Sequence, residues 1–425
     1  MAEEGAPDSI ALKGGRFAFL GRFLGQSQNP LYNNAFLILL ASLISAGLGL
    51  VFWMIAARVY TDEQVGVATA LYSIASLVVT VSRLGFENTI TRYFPKGDKS
   101  KIFSSVVIVT TLTALLVGLV AGSGLLSFLP DLAYIGEYLL MFLLFSVLLS
   151  YSILAGSAFY ASRNPKLNVA LNLIMGSRLV FLFPLVAFGT MGILGSLTAA
   201  YAISMICSIP MLYRLGIRLR KVDWSFLKKS FAFSAGNYMS EVFVATPIMI
   251  MPSIVLNTLG AADAAFYYIA YSLASILFIL PSATTTSLFV EGSHGEDLST
   301  NTKRTLTMTL LLLVPLIVGI YLFGDFVLGL VGKSYSTEGF ELMVLFSLSA
   351  FFLTITQTFY TICRVRSDVK SLVAMSCLTC VLLIVLSLVF AMQYGLTGLG
   401  VGWLIGYGIS AGIALLLIKA RHLLT

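Results

Sequence analysis

Two charged residues stand out because each lies inside a long apolar stretch. Arg178 occurs in LNLIMGSRLVFLFP, near the middle of one predicted helix, and Glu241 occurs in SAGNYMSEVFVATP, at a similar depth in another. A charge at the centre of a membrane costs about 2.5–3.5 kcal/mol on insertion scales, so such a residue usually has a function or a partner. These two residues are therefore the first candidates for a site.

The two side chains suggest different chemistry. Arg178 carries a planar fork of N–H donors, which suits a phosphate group. The alternative is that it is a structural partner of an acid, with Glu241 as one choice. Glu241, with Asn237 one turn earlier, could exchange a proton or help to hold a cation, because desolvation favours the protonated form of a buried carboxyl group. An ion pair is the alternative for Glu241 as well.

Four further residues are weaker candidates. Pro247 and Pro252 lie in the same predicted helix as Glu241 and are candidate hinges, because proline removes a backbone donor and kinks a helix. Arg58 follows the first predicted helix and Arg83 lies near the end of the second, and both could bind a substrate. A surface ion-pair cluster is the alternative for Arg83, and snorkelling to lipid headgroups is the alternative for Arg58.

The composition shows which elements must position these residues. The chain has 425 residues, 58% of them hydrophobic and 11% charged, with a mean hydropathy of +0.95. Soluble domains carry about 25% charged residues. Apolar runs such as residues 36–57 and 378–392 are typical of membrane-spanning helices, whereas barrel strands would alternate over about ten residues. The chain is predicted to be an all-α membrane protein.

The sequence offers little for catalysis or for a metal. Its two histidines are His294 and His422, and the Cys377-x-x-Cys380 pair lies in an apolar run without a second pair. A structural zinc site needs four ligands of these types. We therefore expect no metal, no cofactor and no enzyme activity.

The basic residues support a count of twelve spans, near 34–57, 64–84, 102–129, 136–160, 167–189, 191–213, 230–258, 264–289, 305–331, 340–363, 370–393 and 395–418. With the N terminus inside, all but four of the 26 Lys and Arg residues fall in the tail, the even-numbered loops or the C terminus. Cytoplasmic loops of membrane proteins carry this excess. We predict a multi-pass protein of the cytoplasmic membrane with both termini in the cytoplasm. The net charge of +7 then reflects topology, and no nucleic-acid partner is expected.

Three pairs of similar segments repeat in order along the chain. They are YSIASLV (72–78) and YSLASIL (271–277) in spans 2 and 8, FY at 159–160 and 359–360 in spans 4 and 10, and Gly192 and Tyr201 of span 6 with Gly398 and Tyr407 of span 12. They predict two six-helix bundles, 34–213 and 230–420, joined by a basic cytoplasmic linker at 214–229. Residues 1–33 form a preceding cytoplasmic segment that could lie along the membrane surface. Since six is even, the bundles share one orientation about an axis along the membrane normal, as in transporters with a midplane site. Duplication for stability alone is the alternative.

Two stretches of the chain resemble a known family. Residues 33–95 show an apolar first helix ending in Ala-Arg, an acidic turn before a Gly, and a second helix running into Leu-Gly and Arg-Tyr. Residues 321–349 show a Phe-Gly and a Gly-x-x-Tyr turn before span 10. These features resemble the polysaccharide transporter and oligosaccharide flippase family, within the multidrug/oligosaccharidyl-lipid/polysaccharide exporter superfamily. The resemblance covers roughly 33–420.

The resemblance implies a V-shaped pair of bundles that works by alternating access. The implied cargo is a polyprenyl-linked oligosaccharide for polysaccharide biosynthesis, with membrane lipids and glycan-assembly glycosyltransferases or a polymerase as partners, and coupling to protons or sodium is left open. A multidrug/cation antiporter of the same superfamily is the alternative function. A membrane enzyme would need an acid/base set or a metal on a sizeable loop, which the sequence lacks, and a scaffold without transport activity is a further alternative.

Overall fold

The computed structural model describes residues 30–94, 97–122, 133–162, 164–293 and 297–420, which are helical apart from turns and short non-helical segments. In chain order the helices are α1 (Pro30–Val59), α2 (Asp62–Ser82), α3 (Phe86–Tyr93), α4 (Lys99–Gly122), α5 (Ala133–Ala161), α6 (Pro165–Met175), α7 (Arg178–Leu182), α8 (Thr190–Arg214), α9 (Trp224–Thr258), α10 (Ala261–Ala274), α11 (Ile279–Ser293), α12 (Leu298–Val331), α13 (Lys333–Val365) and α14 (Val369–Ala420). Short 3₁₀ turns lie at Val186–Phe188 and Ser275–Phe278.

These helices account for the twelve predicted spans. Nine helical segments in the described ranges are long and apolar enough to cross a membrane. One of them, α14, bends at Tyr394–Gly395, where Gly395 has a φ of 62°, and so provides spans 11 and 12. Span 1 is α1, and span 5 consists of α6, α7 and the turn Val186–Phe188. The prediction of an all-α, multi-pass membrane protein with two six-helix bundles is confirmed.

Alternating spans give the protein two faces. The linker face carries α3 and the segment that joins the two bundles, and the opposite face carries the turns that precede α2, α8 and α10. The turn before α2 is set by a capping box, in which Thr61 Oγ1 accepts from Gln64 N at 3.3 Å and Gln64 Oε1 accepts from Thr61 N at 3.3 Å. Such reciprocal bonds satisfy N–H groups that a helix start leaves free.

Two equivalent glycines show that the repeat extends to packing. Gly192, in span 6, lies so close to span 5 that an added Cβ would overlap the Leu185 carbonyl, and Gly398, in span 12, stands in the same relation to the Phe390 carbonyl of span 11. Small residues allow membrane helices to approach this closely. Both bundles therefore pack their sixth helix against the end of their fifth in the same way.

The segment between the bundles is shorter than the predicted linker. Residues 217–223 form neither helix nor strand, and α9 begins at Trp224 because Asp223 caps it, its Oδ1 accepting from Phe226 N at 3.0 Å. The hydroxyl groups of three serines of α4 accept hydrogen bonds from backbone N–H groups of the linker. Ser100 accepts from Arg218 at 3.0 Å, Ser104 from Arg220 at 2.7 Å and Ser105 from Asp223 at 2.8 Å. The linker is thus fastened to span 3 of the first bundle. Residues 1–29 of the predicted N-terminal segment lie outside the described residues.

The two bundles meet mainly where α2 packs on α9 and α10. At the opposite face, Gly66 of α2 approaches α10 so closely that an added Cβ would overlap the Ala261 carbonyl. Towards the linker face, the Tyr238 hydroxyl of α9 donates to the carbonyls of Val81 and of Thr80, the latter at 3.2 Å. We call this contact the α2 seam. The two contacts hold the bundles together near the two ends of α2.

Candidate functional site

A cavity of about 830 Å³ lies beside the α2 seam. Most of its wall comes from the first bundle. The remaining side comes from the second bundle, through α10, α11 and the turn between them. Its polar lining residues are Ser45, Tyr72, Ser152, Ser157, Tyr160, Asn168, Asn172, Arg178, Tyr201, Tyr268, Ser272 and Ser275. A volume of this size is in the range of ligand pockets, about 300–1,000 Å³.

Three aromatic rings close the cavity on the side of the opposite face. Trp53 of α1 contacts Tyr268 of α10 with ring centroids 4.9 Å apart, and contacts Tyr72 of α2 at 5.6 Å. Beyond them, the contact of Gly66 with Ala261 leaves no room between the bundles. In the other direction the lining continues to Tyr160 and Asn168, near the ends of α5 and α6 at the linker face. The cavity therefore occupies the middle and the linker-side half of the protein.

Arg178 lies in the wall of this cavity, at a break in span 5. Helix α6 ends at Met175, residues Gly176 and Ser177 form a turn, and Arg178 begins α7. The guanidinium carbon lies 5.6 Å from the centre of the Phe52 ring, and an added Cβ at Gly49 would be 3.5 Å from Nη2. Arg178 is only 7% exposed. The guanidinium therefore lies against α1, beside the Phe52 ring and the backbone at Gly49.

This arginine is unpaired within the part of the chain that the structure describes. It makes no ion pair there, and its buried Nε has no hydrogen-bond partner. Among the described lining residues it is also the only charged one. An unpaired cation in a low-dielectric site is costly unless an anion joins it. The electrostatics of the cavity therefore favour a ligand with a negatively charged group.

The sequence matches a family described as polysaccharide biosynthesis protein over residues 31–289, more than half of the chain. The chain belongs to this family. The resemblance found in the sequence is thereby confirmed. No curated protein sequence matches this polysaccharide biosynthesis protein closely enough to count as a relative.

Solved structures similar to the chain include two transporters of the MOP superfamily and a lipid II flippase. An inward-facing multidrug resistance MATE family transporter of the MOP superfamily matches with a TM-score of 0.70 at 12% identity, over 89% of this chain and 94% of that one. The lipid II flippase MurJ, in an inward closed conformation, matches with a TM-score of 0.67 at 16% identity, over 90% and 87%. A MOP superfamily transporter from Pyrococcus furiosus, described as having a binding pocket of reversed polarity, matches with a TM-score of 0.57 at 12% identity, over 94% and 95%. At these identities the likeness establishes the fold.

Glu241 of this family member does not lie at the depth of Arg178. Its cationic neighbours are Arg364, at the end of α13, and Arg83, at the end of α2, both towards the linker face. The cause is the length of α9. Counted from its far end at Thr258, Glu241 is about 25 Å along the helix, close to the limit of a hydrocarbon core of about 30 Å. The alternative in which Glu241 pairs with Arg178 is not what the structure shows, since no ion pair joins these two described residues.

The other predicted site residues lie apart from the cavity wall. Arg83 forms an ion pair with Glu87 and donates to Thr80 Oγ1 at 3.5 Å, and Arg58 is exposed in the last turn of α1. Neither is among the residues that line the cavity. The cavity instead gains its polar character from residues that the sequence analysis did not single out, above all Tyr160, Asn168 and Asn172. The two asparagines, four positions apart in an apolar run, were the signal that could have revealed them.

Two predictions concern α9. Pro247 and Pro252 both lie inside this helix, which is continuous from Trp224 to Thr258, so their role as hinges stays a prediction. The side chain of Asn237 lies outside those that the structure describes.

Proposed function

We propose that this protein moves a lipid-linked oligosaccharide of the polyprenyl-phosphate type across the cytoplasmic membrane for polysaccharide biosynthesis, by alternating access. The observation that carries the proposal is the buried, unpaired Arg178 in the wall of the cavity. The phosphate of such a cargo is the group that cannot cross a hydrocarbon core without a large desolvation cost. Arg178 offsets that cost by two parallel charge-assisted hydrogen bonds at mid-membrane depth.

The shape of the cavity supports loading from one side. It is closed towards the opposite face by Trp53 and by the contact of Gly66 with Ala261, and its polar wall continues towards the linker face. The excess of Lys and Arg makes the linker face the cytoplasmic one, with both termini on that side. Cargo made in the cytoplasm would therefore enter this state, and opening of the α2 seam at the opposite face would release it.

The charge of the cavity argues against the alternative function. A multidrug/cation antiporter needs acidic groups to hold a cationic drug, whereas the described lining has one charged residue and it is a cation. The family match, to polysaccharide biosynthesis proteins, points the same way. We therefore place the protein with transporters and not with enzymes, working beside the glycosyltransferases or polymerase that make and use its cargo.

The test of this function is a change at Arg178. Arg178→Ala should fold yet lower the restoration of surface glycan in a flippase-deficient cell by about tenfold or more, since hydrogen bonds to charged groups contribute about 1.5–3 kcal/mol. Arg178→Lys should recover part of the activity, because it keeps the charge and loses only the bidentate geometry. Arg58→Ala is the matched control, an arginine outside the cavity, and should export normally.

Membrane level is measured beside surface glycan, so that loss of protein and loss of transport are told apart. Because Arg178 and Glu241 are separate, the second change Glu241→Ala should not rescue Arg178→Ala. Normal export by Arg178→Ala, or rescue in the double variant, would remove the phosphate-binding role.

Glu241 is the candidate for ion coupling. It lies at the α2 seam, between an arginine from each bundle, so a change in its protonation would alter the attraction that holds the linker-face end of the seam together. Glu241→Gln should leave cargo binding intact and remove the dependence of transport on a proton or sodium gradient. Gradient-driven export that survives this change would exclude Glu241 from coupling.

A further inference from the structure

The linker-side wall of the cavity is polar without being charged. Tyr160 and Ser157 of α5 and Asn168 and Asn172 of α6 lie there together, and we call these four residues the polar shelf. The shelf depends on Gly156, because an added Cβ at this position would be 2.8 Å from Asn168 Oδ1. Asn168 is thus seated directly against the backbone of α5.

Two residues of the shelf, Tyr160 and Asn168, have hydrogen-bonding capacity that the described part of the protein does not use. Asn168 Nδ2 donates to the Tyr160 hydroxyl, which leaves the hydroxyl proton of Tyr160 and the second amide proton of Asn168 without acceptors among the described residues. A phenol and a side-chain amide have no charge, so each can serve as donor or acceptor to a neutral partner. Polar groups held in a membrane-embedded wall are costly unless something bonds to them.

The position of the shelf relative to Arg178 suggests what that partner is. Asn172 and Asn168 precede Arg178 by six and ten residues, or about 9 Å and 15 Å along a helix, in the direction of the linker face. If the anionic group of a ligand binds Arg178, the part of the ligand attached to that group would therefore contact the shelf. That portion must be neutral and rich in hydroxyl groups, because the described shelf offers hydrogen bonds and no charge.

We propose that the polar shelf binds the sugar residues next to the phosphate of the cargo, and that Tyr160 and Asn168 determine which sugars are accepted. This inference rests on the proposed function, since it assumes a glycosyl phosphate at Arg178. A site that bonds to sugar hydroxyls discriminates against ligands that lack them, because its own buried polar groups are then left unpaired.

The test measures binding of three probes to the full-length protein in lipid nanodiscs. They are a polyprenyl diphosphate without sugar, one that carries a single N-acetylglucosamine and one that carries a single galactose. The unchanged protein should bind at least one sugar-bearing probe more tightly than the sugar-free probe. Tyr160→Phe and Asn168→Ala should weaken that binding about fivefold to tenfold and leave the sugar-free probe within about twofold, as expected for the loss of one hydrogen bond. Arg178→Ala should weaken all three.

Tyr360→Phe is the matched control. Tyr360 is the counterpart of Tyr160 in the second bundle, bonds to Thr379 at 3.0 Å and does not line the cavity, so this change should alter none of the affinities. If the Asn168→Ala protein fails to accumulate, the result for Tyr160→Phe alone tests the proposal, since this change removes only one oxygen atom and should not prevent folding.

Each other outcome overturns a different statement. If the unchanged protein binds none of the probes, the proposed function is wrong and the shelf proposal falls with it. If it binds all three equally, or if the shelf variants keep their affinity for sugar-bearing probes, phosphate binding stands and the shelf proposal is wrong. Equal weakening of all three probes by Tyr160→Phe and Asn168→Ala would mean that the shelf only supports the wall.

Discussion

Equivalent tyrosines have opposite surroundings in the two bundles. In the first bundle, three of them line the cavity of about 830 Å³: Tyr72, Tyr160 and Tyr201. In the second bundle, two of the counterparts, Tyr360 and Tyr407, line a void of about 20 Å³, and the third, Tyr271, packs among aromatic rings. The two bundles therefore share these three tyrosines but differ in the free volume around them.

The difference comes from what fills each bundle. In the second, Trp403 is fully buried, with its ring centroid 5.6 Å from that of Phe346 and 6.0 Å from that of Tyr271. Span 11 there is unbroken and apolar up to Tyr394. In the first bundle, span 5 is broken before Arg178 and carries two asparagines. The first bundle thus provides most of the cavity wall, including Arg178, whereas the interior of the second bundle is filled around Trp403.

The largest expected effect concerns the filled core. Trp403→Ala should destabilise the protein by about 3–5 kcal/mol, because a cavity opens where no solvent can enter. Trp53→Ala, at the wall of the existing cavity, should cost less, since water can occupy the space that it leaves. The measurement is the fraction of detergent-solubilised protein that survives a heat step. Equal losses would contradict the contrast between a filled and an open bundle.

The next effect concerns what the bundles share. Gly192→Ala and Gly398→Ala should each cost about 1–3 kcal/mol, because in both cases the added methyl group overlaps a carbonyl of the preceding span. Gly412→Ala, where an added Cβ meets nothing within 4 Å, is the control and should be neutral. Membrane levels of the three variants provide the comparison. If only one of the first two is affected, the two glycines are not equivalent.

The smallest expected effect concerns the different contributions of the two bundles to ligand binding. Tyr201→Phe removes a hydroxyl from the cavity wall near Arg178 and should weaken cargo binding about twofold to tenfold, the usual worth of one hydrogen bond. Tyr407→Phe removes the equivalent hydroxyl from the second bundle and should leave binding unchanged. Titration of polyprenyl diphosphate onto both variants tests this. A loss of affinity in Tyr407→Phe would show that the filled interior of the second bundle also affects binding.

Much of the fold could be predicted from the sequence because the hydrocarbon core of a membrane permits few backbone structures. Backbone groups in a membrane must bond within a helix, so apolar runs near 20 residues define spans, and the bias of Lys and Arg orients them. The bend between spans 11 and 12 was predicted to within a residue, because Gly395 interrupts an otherwise continuous run. Arg178 was recognised as a candidate by the same reasoning, since a charge in such a run is rare.

Glu241 shows where this reasoning fails. Glu241 lies near the middle of α9, but this helix starts at the Asp223 cap, inside the segment predicted as linker, so the middle of the helix is not the middle of the membrane. The cationic neighbours of Glu241, which are Arg364 and Arg83, come from α13 and the end of α2, far away in the chain. No local sequence pattern indicates that these residues lie near one another.

The sequence by itself showed that the protein lies in a membrane, how many spans it has, that its two halves are repeats, and that Arg178 is an unusual charge within a span. Each of these conclusions follows from the local sequence of a segment. Only the tertiary structure decided that Arg178 faces a cavity, that Tyr160 and Asn168 lie on the same wall, and that the second bundle is filled. Those facts depend on which helix faces meet, and in a membrane nearly every face is apolar. Helix orientation is then set by packing between distant segments and not by hydrophobic periodicity.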